Sequence, residues 1–169
     1  MDNGLSSMDL LVAMKLAVGG AEASVRSLEL DLGLSKSAVA NSLHHLAELG
    51  LVKNARRSHR INKLLLRDCL EHGIRWIAPA RVGDYELGLP TAHAAEPLKG
   101  KLTGDEDVLV IPLPHGPVRG RSVSPLHPLA PRVAERDPNF HRLLAVVDAL
   151  RIGRARDRQI AATELRALL

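Results

Sequence analysis

The stretch from Ser24 to Leu51 constrains the fold more than any other part of the 169-residue chain, because it predicts two helices joined by one tight turn. In its first half, Val25, Leu28 and Leu32 are spaced so that all three lie on one face of a helix. Gly33 follows at once, and glycine takes the left-handed backbone conformation that ends a helix without steric cost. A helix that ends in a sharp turn is therefore expected here.

The second predicted helix begins after Ser35, whose hydroxyl can accept hydrogen bonds from the free N–H groups of a first helical turn. Its buried side would be formed by Val39, Leu43 and Leu46. The opposite side is polar and has short side chains in its N-terminal half, as a helix that enters a DNA groove requires. The residues on or beside this side are Ser37, Ala40, Asn41, His44, His45 and Glu48.

Two helices joined by a glycine turn, the second of them capped and polar, form the helix-turn-helix pattern, whose second helix lies in the DNA major groove. The same features fit an ordinary pair of packed helices, so the pattern alone leaves both interpretations open. The charge distribution favours DNA. Residues 51–80 contain seven Lys or Arg and two acids, whereas residues 1–50 contain three Lys or Arg and six acids. Positive charge beside a groove-reading helix would neutralise phosphates.

A short hairpin with a basic tip is predicted directly after the second helix. Apolar residues at both ends, Leu51-Val52 and Ile61, enclose a polar and basic segment, which predicts a small wing. The residues expected on phosphates or at the edge of the minor groove are Arg56, Arg57, His59 and Arg60.

The run from Met8 to Ile61, with LGLSKSAVANSLHHLAELGLV at its centre, resembles the winged helix-turn-helix domain of bacterial transcriptional regulators of the MarR and ArsR type. The resemblance covers about a third of the chain. It implies a regulator that reads duplex DNA, and a homodimer is expected. The wing is shorter here than in those families and leads almost directly into a helical pattern. The residues expected at the major groove are Ser35, Lys36, Ser37, Asn41, His44 and His45.

Periodic apolar residues predict a further helix on each side of this motif. One spans Met8–Val18, with Ser6 or Ser7 as its cap. The other begins after Asn62 and is expected to stop at Gly73.

The middle of the chain is rich in proline, with nine of the ten prolines in residues 79–131. Short strands are predicted at Ile74–Ala78 and at Val108–Ile111, the second stopped by Pro112. An exposed, turn-like loop is expected at Arg119–Ser122. This region is either a small irregular module that contains strands or an extended arm over the first domain.

The C-terminal part predicts a helical hairpin. Asp137 caps a helix that begins with Pro138, and a second helix spans residues 154–168 after Gly153. The first helix has an apolar stripe formed by Phe140, Leu143, Leu144, Val147 and Leu150. Two uses of such stripes stay open, dimerisation and packing against the rest of the same chain.

Together these patterns predict a mainly α protein with small β parts, an α+β fold. Its three regions are a winged helix-turn-helix domain (1–73), a Pro-rich segment with short strands (74–136) and a helical hairpin (137–169).

No catalytic residue, metal ligand set or cofactor motif is expected, because the eight histidines form no HxxxH and no cysteine pair exists. A single cysteine, Cys69, and the lack of a long apolar run predict a cytoplasmic protein without a membrane span. We interpret Cys69 as a packed thiol, while His72 is a possible but less favoured partner base.

Two functions are compatible with these expectations, and an enzyme is a third, less favoured one. The first is a DNA-binding transcriptional regulator. The second is an antitoxin that binds and neutralises a partner toxin and represses its own operon. The second rests on the C-terminal segments PLHPLAPRVAERDPNF and DALRIGRARDRQIAATEL, which are similar to chains that accompany nucleotidyltransferase-type toxins. A partner that co-purifies would distinguish the two.

Overall fold

The computed structural model describes residues 4–19, 23–55, 58–102 and 107–169, and over these ranges the chain has a mixed α+β fold, as predicted. The helices are α1 (Ser7–Val18), α2 (Val25–Leu32), α3 (Lys36–Glu48), α4 (Lys63–Ile77), α5 (Ala130–Arg136), α6 (Pro138–Ile152) and α7 (Ala155–Leu168). The strands are β1 (Val52–Ala55), β2 (Ser58–Ile61), β3 (Val82–Pro90), β4 (Leu109–Pro112) and β5 (Val118–Val123), and a short 3₁₀ turn spans Ala92–Ala94.

The first three helices are capped by serines, of which Ser6 and Ser35 are predicted from the sequence and Ser24 is not. The hydroxyls of Ser6, Ser24 and Ser35 each accept a hydrogen bond from an N–H group of the first helical turn of α1, α2 and α3. Gly33 ends α2 with a φ of 67°, in the left-handed region that favours glycine. The sharp turn between α2 and α3 is therefore encoded locally.

A two-stranded antiparallel hairpin follows α3, in the register that places Val52 opposite Ile61. Ala23, just before α2, adds an isolated antiparallel bridge to His59 of β2. The predicted basic tip, Arg56 and Arg57, lies outside the described residues.

Helix α4 is longer than predicted. Gly73 lies inside the helix and does not stop it, so the strand expected at Ile74–Ala78 does not form. A glycine in a helix costs about 1 kcal/mol relative to alanine. Leu66, Leu70 and Ile74 continue one buried stripe through it, and their burial outweighs that cost.

The Pro-rich segment is an ordered module in which three strands close into a small barrel. β3 pairs antiparallel with both β4 and β5, and β4 pairs parallel with β5. The predicted strand at Val108–Ile111 is confirmed as β4, but β3 and β5 were not predicted. Arg119–Ser122, expected as an exposed loop, is part of β5. The strands approach so closely that a Cβ atom on Gly88 or Gly120 would overlap the carbonyl oxygen of Ile111 or Val108.

The C-terminal helices begin where predicted. Asp137 accepts hydrogen bonds from the N–H groups of Asn139 and Phe140, and Gly153 separates α6 from α7. The predicted apolar stripe of α6 is buried, because this helix packs against α1, α4, α5 and α7 of its own chain. Of the two uses left open by the sequence, packing within the chain is the one observed, so this stripe is not a dimer surface.

A buried polar network holds α6 to the barrel and to the end of α4. Arg151 donates to the Asp148 carboxylate (2.7 Å), to the carbonyl of Ala78 (2.7 Å) and to the carbonyl of Ser124 (3.0 Å). The hydroxyl of Thr91 donates to the other Asp148 oxygen at 2.7 Å. Both carboxylate oxygens of the buried Asp148 are thus engaged, one by Arg151 from the next turn of α6 and the other by Thr91 from a segment distant in sequence.

A second link joins α6 to the N-terminal helices. Lys15 of α1 is mostly buried and forms ion pairs with Asp137 (2.6 Å) and Asp31 (3.2 Å).

Within the part of the chain described above, no helix combines the length and apolarity needed to cross a bilayer.

Two glycine substitutions should change the free energy of unfolding in opposite directions. Gly73→Ala should stabilise the fold by about 0.5–1 kcal/mol, because alanine favours the helix and meets only the movable Ile77 Cδ1, at 3.1 Å. Gly120→Ala should destabilise it by at least about 2 kcal/mol, since the new methyl group overlaps the Val108 backbone in the barrel. Urea denaturation measures both. A neutral Gly120→Ala would contradict the tight closure of the barrel.

Candidate nucleic-acid interface

Helix α3 divides into a buried side and an exposed polar side, as the sequence predicts. Val39, Leu43 and Leu46 are buried in the core. The exposed residues of the helix are Lys36, Ser37, Ala40, Asn41, His44 and Glu48. We call these six residues the α3 front.

The orientation of α3 is fixed from behind by one buried carboxylate on α1. Asp9 accepts a hydrogen bond from the Ser42 hydroxyl at 2.7 Å and lies 2.9 Å from Nδ1 of His45. The Ser6 backbone N–H and hydroxyl also donate to it. Burial alone raises the pKa of Asp9, but the hydrogen bonds from Ser42, Ser6 and His45 outweigh burial and lower it below the ordinary value. The anionic form of Asp9 is therefore part of the helix packing.

His45 differs from its predicted place. It is half-buried and faces Asp9, so it lies behind the α3 front and packs α3 against α1. The sequence placed it at the edge of the polar side, and only the long-range contact with α1 shows its position. Ser42 was not recognised for the same reason.

The side chains of the α3 front differ in whether they form hydrogen bonds or ion pairs with neighbouring residues. The Ser35 hydroxyl caps the helix and lies 3.1 Å from the Ser37 hydroxyl. His44 is 3.3 Å from Glu48, one turn later. Lys36 and Asn41 have no hydrogen-bond or ion-pair partner among the described residues, so their polar groups are free to bind a ligand.

The β1–β2 hairpin follows α3 directly in the sequence and carries basic side chains. Lys53 of β1 lies opposite Arg60 of β2, and both are exposed. His59 is half-buried and pairs with Ala23, and its burial lowers its pKa. It is therefore a weaker candidate for phosphate contact than its neighbours. The predicted contacts of Arg56 and Arg57 lie outside the described residues.

Outside α3 and the hairpin, three observations on the described residues bear on metal binding or catalysis. No group of three or more potential metal ligands occurs in them. Burial raises the pKa of the Cys69 thiol, which disfavours the reactive thiolate. A cavity of about 330 Å³ lies between the barrel and the α6–α7 corner. Its charged and titratable lining residues are His93, Asp107, Arg121, Arg154 and Asp157.

Comparisons of the chain with protein-family models, with curated proteins and with solved structures gave no match.

The role of Asp9 can be measured through the pH dependence of stability. Asp9→Asn should lower the free energy of unfolding at neutral pH by about 1–3 kcal/mol, because buried hydrogen bonds are lost or reversed. Since the folded pKa of Asp9 lies below its unfolded value, the stability that its anion contributes is present above about pH 4 and is lost as the pH falls through the folded pKa.

Urea titrations from neutral to acidic pH should therefore show that the difference between wild type and Asp9→Asn narrows below about pH 4. Asp84→Asn, an exposed change on β3, serves as the control and should be close to neutral throughout. A difference for Asp9→Asn that is the same at every pH would contradict the role of the anion.

Proposed function

We propose that this protein is a transcriptional regulator that binds duplex DNA with a winged helix-turn-helix, with α3 in the major groove and the β1–β2 hairpin as the wing. The observation that carries the proposal is the α3 front, which is polar and exposed on a helix whose other side is held by the core and by Asp9. A helix presented in this way can enter a groove without losing any packing contact.

The N-terminal half of α3 is the better half for reading bases. Ala40 and Ser37 are small, so the helix can approach the groove floor, and the free amide of Asn41 can bond in bidentate fashion to N6 and N7 of adenine. At the C-terminal end, the carboxylate of Glu48 would repel phosphates. In helix-turn-helix proteins the N-terminal residues of the recognition helix contact the base edges.

The hairpin would supply affinity independent of sequence. Lys53 and Arg60 are exposed cations on neighbouring strands, and each phosphate that such a residue neutralises releases counterions. Base contacts from α3 would then add specificity to this non-specific attraction.

Base reading by Asn41 is tested by a selection from random duplexes with wild type and with Asn41→Ala. The variant should lose about 1–3 kcal/mol of preference for the selected site over mismatched sites, the usual value of a bidentate base contact. Its stability should stay within about 0.5 kcal/mol of wild type, because Asn41 is exposed.

The matched control is Asn139→Ala, an exposed Asn on α6, which should select the same motif as wild type. An enriched motif that does not depend on Asn41 would move the base contacts to Ser37, His44 or the hairpin. If wild type enriches no motif, sequence-specific binding is refuted, and non-specific DNA binding or the antitoxin function remains as the alternative.

Phosphate contact by the hairpin is tested by salt titration of the DNA affinity. Changing both Lys53 and Arg60 to Ala should reduce the slope of log K against log salt by about 1.8, because each phosphate contact contributes about 0.9. The loss should be similar for all sequences. The control is the Arg132→Ala, Arg136→Ala double variant on α5, which removes two exposed charges and should leave the slope unchanged. Equal slopes for wild type and the hairpin variant would show that this hairpin does not contact DNA.

A further inference from the structure

Outside the core, helix α4 carries a second line of side chains that the described residues leave largely exposed, with the half-buried Cys69 as the exception. Its first face, Leu66, Leu70 and Ile74, is in the core. On the outer side, Leu65, Cys69, His72 and Trp76 form one line along the helix, which we call the α4 stripe. Leu65 is 44% exposed and Trp76 is 75% exposed, and the His72 side chain is 74% exposed.

The spacing of the stripe is that of a coiled-coil seam. Steps of four, three and four residues separate its members, so Cys69 and Trp76 occupy a positions of a heptad, and Leu65 and His72 occupy d positions. A single exposed apolar residue needs no explanation, but an exposed tryptophan in register with a leucine over three turns is a surface suited to another helix.

We propose that the α4 stripe is the interface between two copies of this chain, with the two α4 helices packed antiparallel about a two-fold axis. In an antiparallel pair each a residue meets a d residue of the other helix. Trp76 then packs on Leu65 of the partner subunit, and Cys69 packs on His72 of the partner subunit. Both pairs form in the same register, because the two positions of each pair are symmetric about the midpoint between Leu70 and Glu71.

Charge complementarity supports a second copy of the chain as the partner, and it supports the antiparallel orientation of the two α4 helices. Asp68 and Arg75 occupy the two g positions beside the stripe, and both are exposed. Neither forms an ion pair in the described chain. The register that pairs Trp76 with Leu65 also places Asp68 next to Arg75 of the partner subunit, twice by symmetry.

A parallel pair lacks this match. It would set each g residue beside an e residue, so Asp68 would face Gly73 of the partner subunit and gain no opposite charge. Arg75 already lies over the Trp76 ring, with its guanidinium carbon 5.0 Å from the ring centroid, and can donate to a carboxylate from this position. Unlike the buried stripe of α6, the α4 stripe is available to a second copy.

The strength of the dimer should be modest. Fifteen residues of α4 extend over about 22 Å, and the seam has only two heptads. Trp76 is expected to contribute most, as large aromatic side chains do at interfaces.

Sedimentation equilibrium of the full chain tests the proposal without DNA. Wild type should dimerise at micromolar concentration, and Trp76→Ala should weaken dimerisation about tenfold or more. Asp68→Arg should also weaken it, since two arginines then face each other across the axis. The exchange variant Asp68→Arg, Arg75→Asp should restore wild-type affinity. All these residues are exposed, so the variants should fold, and circular dichroism verifies this.

A monomer at concentrations up to about 1 mM would overturn the proposal. A dimer that is unaffected by Trp76→Ala and by Asp68→Arg would also overturn it, because the interface would then lie elsewhere.

Disulfide trapping tests the orientation in a Cys69→Ser background. The double variant Leu65→Cys, Trp76→Cys should give a cross-linked dimer on mild oxidation, whereas Leu65→Cys alone and Trp76→Cys alone should not. Cross-linking by either single variant would indicate a parallel pair and refute the antiparallel arrangement. The outcome is independent of the DNA experiments, so failure of one proposal does not affect the other.

Discussion

The buried pair of Asp148 and Arg151 is the interaction on which the arrangement of the chain depends. Arg151 contacts the end of α4 through Ala78 and the segment after β5 through Ser124, and Thr91 reaches Asp148 from the segment after β3. Removing one partner from a buried ion pair costs about 3–5 kcal/mol, because the other charge is left in the interior. This single pair therefore sets where the barrel, α4 and α6 meet.

A short series of contacts leads from this centre to the proposed DNA-binding face. Asp137 at the start of α6 holds Lys15 of α1, and Asp9 at the other end of α1 holds Ser42 and His45 of α3. Each link is charged and at least partly buried, so each has a narrow range of allowed geometry. The orientation of α3 thus depends on residues that never approach DNA in the proposed complex.

The helix starts could be predicted from neighbouring residues in the sequence. The features that could not be predicted depend on contacts between residues distant in sequence. The caps at Ser35, Asn62 and Asp137 depend only on neighbouring residues, so the starts of α3, α4 and α6 could be predicted from the sequence. Gly73 resembled a stop, but the core contacts of Ile74 extend α4 through it. In the candidate site, the exposure of Asn41 followed from helical periodicity, whereas the position of His45 depends on a carboxylate 36 residues earlier.

The barrel was hard to predict because β3 and β5 lack a strong strand pattern of their own and are stabilised by pairing with each other. β3 and β5 contain glycine and charged residues that weaken any strand signal, and closure makes those glycines necessary. Closure has a further consequence. Each strand pairs with both of the others, but β4 pairs with β3 only over residues 88–90, so in the described chain the part of β3 at residues 82–87 has β5 as its only strand neighbour. Closure therefore protects the end of β3 at residues 88–90 from strand addition, whereas the edge at residues 82–87 is a place where a free strand of another molecule could pair.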